Sequence, residues 1–260
     1  MFSMLAPTND FYIGKFHGTF YGLFVALGMV CGLLITCFLA KKKKLSSDNI
    51  FVLSLYVFPL AILGARIYYC IFSGRAYSFV EFIRITDGGL AVYGSIIGGA
   101  IGGLVYSMIH KKSFIKILDV VVVGLALGQA IGRIGCYFGG CCYGEIVTST
   151  SMQFFPLSVF VDGNWHFATF FYESIWNLIG FVVLLILFNK LKVKGSLTAS
   201  YLVWYGIGRC VIEGIRGDSL LIGNTYIRVS QLLSAIIAVI GIVILSINLY
   251  KRKNSNDEKV

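Results

Sequence analysis

Charged side chains are scarce in this sequence: aspartate, glutamate, lysine and arginine make up 13% of its 260 residues, against 57% hydrophobic residues. A soluble globule carries about 25% charged residues on average, so a water-soluble domain of this size is excluded. Proline is also scarce, with 3 in the whole chain, which leaves long stretches free of helix breakers. No low-complexity linker and no internal repeat divides the chain, so a single domain over 1–260 is expected. A cleavable signal peptide is missing as well. The residues ahead of the first apolar block carry little positive charge, and Lys41 to Lys44 follow it instead of a small-residue cleavage site. The first segment is therefore expected to remain as a helix.

What the chain does contain is apolar sequence in lengths that cross a bilayer, which takes about 20 residues of helix. Seven such blocks lie near 18–40, 50–72, 89–109, 117–138, 170–189, 197–214 and 228–249, and the mean hydropathy is +0.83. Backbone polar groups in lipid must be satisfied within the segment, so these blocks are predicted to be helices. The expected fold is an all-α integral membrane protein, a bundle of about seven transmembrane helices.

A net charge of +10 is also what a nucleic-acid binder carries, but its placement argues for a membrane instead. Lys41 to Lys44, then Lys111, Lys112 and Lys116, then Lys190, Lys192 and Lys194, then Lys251, Arg252, Lys253 and Lys259 fall in alternate gaps between the blocks. The other gaps hold only Lys15, Arg75, Arg84, Arg216 and Arg228. Basic residues mark cytoplasmic loops, so the N-terminus is expected outside and the C-terminus in the cytoplasm. The longest polar stretch, 139–169, then faces outward and holds Glu145, Asp162, Asn164 and His166.

Gly94, Gly98 and Gly102 in the third block, and Gly124, Gly128 and Gly132 in the fourth, recur at four-residue spacing. That spacing allows close helix approach, and these two blocks are expected to pack on each other. Cys136, Gly140 and Gly144 extend the series if the helix continues.

Arg66, Arg133, Arg209 and Glu213 lie in or at the ends of apolar blocks. An ionisable group at a helix centre costs roughly 2.5–3.5 kcal/mol on insertion scales and marks a functional site by default. All four fall toward the outward half. Converging guanidinium groups suit a phosphate, which their planar fork grips bidentately, and lipid headgroups supply phosphate at that depth. Glu213 is one turn from Arg209 and shares its face; Arg133 has no obvious acidic neighbour in sequence, and Arg66 near a helix end can also snorkel. Cys136, Cys141 and Cys142 form a cluster open to three readings: packing of a tight hairpin, a disulfide on the oxidising face, or zinc or a reactive thiolate. Without a nearby His or Cys pair the metal reading is weak.

Gly132-Arg133-Ile134-Gly135-Cys136-Tyr137-Phe138-Gly139-Gly140-Cys141-Cys142-Tyr143-Gly144 resembles the signature of the prolipoprotein diacylglyceryl transferases of bacterial membranes. The stretch from Tyr205 through Arg209 and Glu213 to Arg216 is similar to the family's Tyr, Arg, Glu, Arg series in the sixth helix. Tyr21-Gly22-Leu23, Gly64-Ala65-Arg66, Tyr172-Glu173 and Ser230-Gln231 are smaller matches in family order.

The resemblance implies a transferase of the bacterial cytoplasmic membrane. Its substrates are phosphatidylglycerol and the lipobox of a prolipoprotein signal peptide, within membrane lipids and without nucleic acid, metal or cofactor. It implies Arg133, Arg209, Glu213 and Tyr93 as catalytic residues, and Tyr21, Arg66, Tyr205, Arg216, Glu173 and Gln231 as substrate-binding ones. Two departures stand out. Tyr93-Gly94-Ser95 replaces the family's His-Gly-Gly, and Cys136, Gly139 and Cys141 replace its Asn, Asn and Glu. A phenol of pKa about 10 is a poor base, so His166 is a candidate proton acceptor. Two alternatives remain open: a paralogue with another acceptor, and a small transporter using the intramembrane arginines as an anion path. A transport path needs polar groups in both halves of the bilayer, and the inward half holds little besides Asp119.

Overall fold

A computed structural model describes residues 9–14, 16–43, 45–73, 75, 77–84, 88–217 and 228–257. Lys15, Lys44 and Lys259 of the charge pattern lie outside the described residues.

The seven apolar blocks form long helices. These are α1 (Phe20–Lys42), α2 (Ser47–Phe72), α4 (Val92–Ile109), α5 (Phe114–Phe138), α6 (Thr169–Lys190), α7 (Ser196–Glu213) and α8 (Val229–Asp257), with a short α3 (Phe79–Ile83) between α2 and α4. Six of them are long and apolar enough to cross a membrane; α7, which carries Arg209 and Glu213, falls short of that mark. The protein is a helical, multi-pass membrane protein. Two small hairpins add to the helices: β1 (Asp10–Ile13) pairs with β2 (Phe16–Thr19), and β3 (Ser158–Val161) with β4 (Asn164–Phe167), both antiparallel. Asp162 and Gly163, at φ 48° and 83°, make the second turn, the left-handed pair that two-residue hairpins favour.

The chain divides into two compact units, Met1–Ile35 with Leu118–Val260, and Thr36–Ile117. In the second unit α2 and α4 pack through their glycines. A Cβ at Gly94 would lie 2.2 Å from the Gly64 carbonyl oxygen, and one at Gly98 2.0 Å from that of Leu60. In the first unit, a Cβ at Gly28 of α1 would lie 2.6 Å from the Gly128 carbonyl oxygen of α5, and one at Gly32 2.7 Å from that of Gly124. The glycine series of the third block thus meets α2, and that of the fourth meets α1. Each series meets its close contact in a different helix, because α2 and α1 carry glycines, Gly64, Gly28 and Gly32, at matching heights.

Two devices set the register of the first unit. Asp119, inside α5, accepts hydrogen bonds from the Gly195 and Thr198 amides at 2.6 and 2.9 Å and from the Thr198 hydroxyl at 2.8 Å. It thereby caps the otherwise open N–H groups at the start of α7. Trp176 and Trp204 clasp α6 to α7: each indole N–H donates to the other's backbone carbonyl at 3.0 Å, and the rings stack at 4.5 Å. Gly180 and Gly208 make room, since a Cβ at Gly208 would lie 2.0 Å from Trp176 Nε1. The clasp sits next to Arg209 and fixes its height against α6.

Candidate active site

Where α5 ends, α6 begins and α7 ends, the charges of the first unit converge. Ser174 donates its hydroxyl to the Ala130 carbonyl at 2.7 Å and ties α6 to α5 one turn before Arg133. That contact places Glu173 against Arg133, whose Nη2 lies 2.7 Å from Glu173 Oε2. Arg209 holds the other oxygen of the same carboxylate, Nη1 to Oε1, at 2.6 Å, and its Nη2 holds Glu213 Oε2 at 3.0 Å. Arg216 completes the group at 3.7 Å from Glu173 and 4.0 Å from Glu213. Glu173 and Glu213 are buried, and the guanidinium partners offset the cost of taking these carboxylates out of water.

Among the described residues the cluster sets three guanidinium groups against two carboxylates. The expectation that Arg133 lacks an acidic partner is overturned. Glu173 lies far away in sequence and reaches Arg133 only because α6 starts beside the end of α5.

The polar stretch 139–169 is built onto this cluster. The Gly144 and Glu145 amides donate to the Phe167 and Ile215 carbonyls at 2.8 and 3.0 Å, and Gly144 forms a bridge with Arg216. Arg228, which the sequence shows only as a loop charge, pairs with Glu145 at 2.9 Å and donates to the Glu213 carbonyl. His166 bonds through Nδ1 to the Gly144 carbonyl at 3.0 Å. It lines a cavity of about 700 Å³ together with Cys141, Cys142 and Glu145. Burial pushes the Tyr143 phenol up to about 12, with Cys141 adding to the shift. It remains a donor, 3.3 Å from the Tyr137 carbonyl.

α5 does not run on to Gly140 and Gly144 as the spacing allows; it ends at Phe138. Gly140, at φ 60°, turns the chain, and the Cys141 amide donates back to the Cys136 carbonyl at 3.2 Å, which is a Schellman end. All three cysteines of the turn are free thiols. Cys142 Sγ lies 3.5 Å from Arg133 Nη1. Hydrogen bonds from Cys136 and Cys141 hold the Cys142 thiol well below the ordinary range, with Arg133 and Arg216 adding to the effect.

The other expected site residues fall as follows. Tyr21 is exposed and lies against Gly139, whose Cβ would meet its ring at 3.2 Å. Tyr205 stacks on Tyr201 at 5.8 Å. Gln231 donates to the Cys210 carbonyl at 3.1 Å and so ties α8 to α7 beside Arg209.

Arg66 and Tyr93 belong to the second unit. Tyr93 is exposed on α4, its ring 6.2 Å from that of Tyr68. Arg66 is buried, and its five N–H donors all meet backbone carbonyls, those of Glu81, Phe82, Arg84, Gly88 and Gly89. A guanidinium has five such donors, so none is left for a phosphate. These bonds tie the guanidinium to the backbone of residues 81–84 and 88–89.

Comparison with known proteins decides the family. The sequence profile described as prolipoprotein diacylglyceryl transferase matches residues 9–247. The chain belongs to this family. It is 40% identical over 237 residues to the phosphatidylglycerol–prolipoprotein diacylglyceryl transferase of Streptococcus uberis, a match covering 89% of this chain and 91% of that one. The Listeria innocua protein of the same name is 37% identical over 253 residues, with 94% and 89% covered. The Clostridium botulinum protein is 38% identical over 240 residues, with 90% and 92% covered. The family match runs through both compact units and includes every residue of the charge cluster.

Proposed function

We propose that this protein transfers a diacylglyceryl group from phosphatidylglycerol to the lipobox cysteine thiol of a prolipoprotein. The observation that supports this reading best is the convergence of the Arg133, Arg209 and Arg216 guanidinium groups on Glu173 and Glu213. Phosphatidylglycerol is an anionic phosphodiester, whose oxygens suit the planar guanidinium fork. In the reaction the substrate thiolate attacks the glycerol carbon that bears the phosphate. A carbon–sulfur bond forms, the carbon–oxygen bond breaks, and glycerol phosphate leaves with both bonding electrons.

The leaving phosphate gains charge as it departs. Donors already fixed in a partly dry site stabilise that gain most. Glu173 holds the Arg133 and Arg209 forks in place before the anion arrives, and Glu213 holds Arg209 and Arg216. Tyr21, Tyr205 and Gln231 are the proposed hydrogen-bonding groups around the donor lipid, and Tyr93 a proposed donor on the second unit. The proton of the substrate thiol goes to a group other than the family's histidine; His166 is the candidate, with its Nδ1 already bonded to a carbonyl and Nε2 left as the accepting atom.

The same proposal places the chain in a bacterial cytoplasmic membrane as one transferase domain of seven crossing helices, N-terminus outside. The charge cluster then faces outward, where a prolipoprotein presents its signal peptide. A transport path is less well supported, because Asp119, the acidic group at the opposite end of α5, serves as a helix cap. The test uses purified protein in phosphatidylglycerol vesicles with a fluorescent lipobox peptide. Transfer should depend on phosphatidylglycerol and on the peptide cysteine. Transfer to a peptide with serine at that position, or none from phosphatidylglycerol, would reject the reading.

A further inference from the structure

We propose that Cys136, Cys141 and Cys142 form a binding site for one thiophilic d10 cation, of the class of Zn²⁺, Cd²⁺ or Cu⁺. Their three sulfur atoms lie within 4.8 Å of one another. Three thiolates bound to a single cation at about 2.3 Å place their sulfurs roughly 4 Å apart, so closure needs side-chain movement of less than about 1 Å.

The backbone explains the convergence. A Schellman end sets its third-last helical position against the second residue past the cap. Here those positions are Cys136 and Cys141, joined by the amide-to-carbonyl bond around Gly140. Cys142 follows at φ 62°, a left-handed conformation that side chains other than glycine rarely adopt. Backbone strain of this kind gathers at functional positions, and in this turn it accompanies the third sulfur's approach to the other two.

Charge and access agree with the assignment. Three thiolates around a divalent cation leave one negative charge, and Arg133 Nη1 stands 3.5 Å from Cys142 Sγ to offset it. An all-sulfur donor set selects soft cations over magnesium or calcium. Cys141 and Cys142 line the 700 Å³ cavity shared with His166, which provides an entry path and room for a fourth ligand. A role in covalent transfer is chemically unsuited to these thiols, since a cysteine alkylated by the donor lipid forms a thioether with no tendency to leave. The bound cation would instead staple the end of α5 to the 141–147 segment. That segment bridges Arg216 through Gly144, so the staple would hold Arg133 and Arg216 in register.

The test is a binding measurement that does not depend on transferase activity, so its failure leaves the transfer reading untouched. The full chain, purified in detergent and reduced with a phosphine, is titrated with Cd²⁺ while the sulfur-to-metal charge-transfer band is followed. Zinc is counted by elemental analysis after exposure to Zn²⁺ and desalting. One equivalent is expected for the native chain and for Cys210→Ser, and none for Cys136→Ser or Cys142→Ser. In the native chain, bound cation should protect these three thiols, and not Cys210, from alkylation as mapped by mass spectrometry; that readout needs no variant to fold. Retention of one equivalent by Cys136→Ser would overturn the site. So would a native chain that emerges with a disulfide in this turn and, once reduced, takes up no cation.

Discussion

Arg133 on α5 and Glu173 on α6 form a buried ion pair of 2.7 Å, and the second oxygen of that carboxylate belongs to Arg209. One acidic side chain thus aligns two guanidinium forks from different helices. Removing it should be worse for the fold than removing either arginine, because three cations would remain beside Glu213 alone.

Glu173→Gln is accordingly expected to lower the thermal unfolding temperature in detergent more than Arg133→Gln does. Breaking a buried pair by deleting one partner costs about 3–5 kcal/mol. Differential scanning fluorimetry of the two variants side by side checks the order. Equal or reversed losses would mean that Glu173 is not the hub.

Arg209→Gln removes the guanidinium that stands 3.0 Å from the buried Glu213 carboxylate. The double variant Arg209→Gln with Glu213→Gln should regain about 1 kcal/mol or more of the stability lost in the single one. It should regain no transfer activity. A double-mutant cycle read by unfolding midpoints and by the peptide assay separates the two effects.

Arg66→Gln removes the guanidinium that holds five carbonyls between Glu81 and Gly89. Amide hydrogen exchange should rise by about tenfold or more in the 79–91 region and change little in α6 and α7. Unchanged protection there would show that other contacts order the segment.

The same segment carries an acid-sensitive cap. Glu81 accepts from the Ser78 amide and hydroxyl, both at 2.9 Å, and these bonds hold its carboxyl below the ordinary range, with Arg75 adding. A depressed carboxyl stabilises the fold at neutral pH, and that contribution is lost as pH falls through the lowered value. The protection of residues 79–84, corrected for the intrinsic pH dependence of exchange, should therefore be high at neutral pH and fall on acidification. In Glu81→Gln this protection should be lower from the start and flat with pH across the carboxylate range.

Much of this fold is legible in the sequence because bilayer-length apolar runs leave one solution, the helix. The block near 117–138 is α5 to within one turn, and the block at 197–214 is α7 to within one residue. The pairing of Arg209 with Glu213 is also legible, since both lie one turn apart on a single helix. Glu173 as the partner of Arg133 is not, because that contact depends on which helix ends meet. For the same reason, glycine spacing announces close packing without naming the partner helix: Gly98 meets Leu60 and Gly128 meets Gly28. Arg66 shows a further limit. Its burial is readable from an apolar block, but whether its donors face a lipid phosphate or a ring of carbonyls is set by the loop that follows. The gathering of three thiols depends on Gly140 ending α5, where the four-residue spacing of small residues reads as continuing helix.

The central claim, that the converging guanidinium groups serve the donor phosphate, is tested most directly by Arg133→Gln in the phosphatidylglycerol-to-peptide transfer assay. The variant should fold, because Glu173 keeps Arg209 at 2.6 Å and Arg216 at 3.7 Å, and membrane levels measured by quantitative blotting should match those of the native chain. Transfer should fall by about 10²-fold or more, the loss typical of deleting a fixed donor to a developing anion. Arg133→Lys, which keeps the charge without the fork, should fall between the two. A well-folded Arg133→Gln protein that transfers at the native rate would contradict the claim.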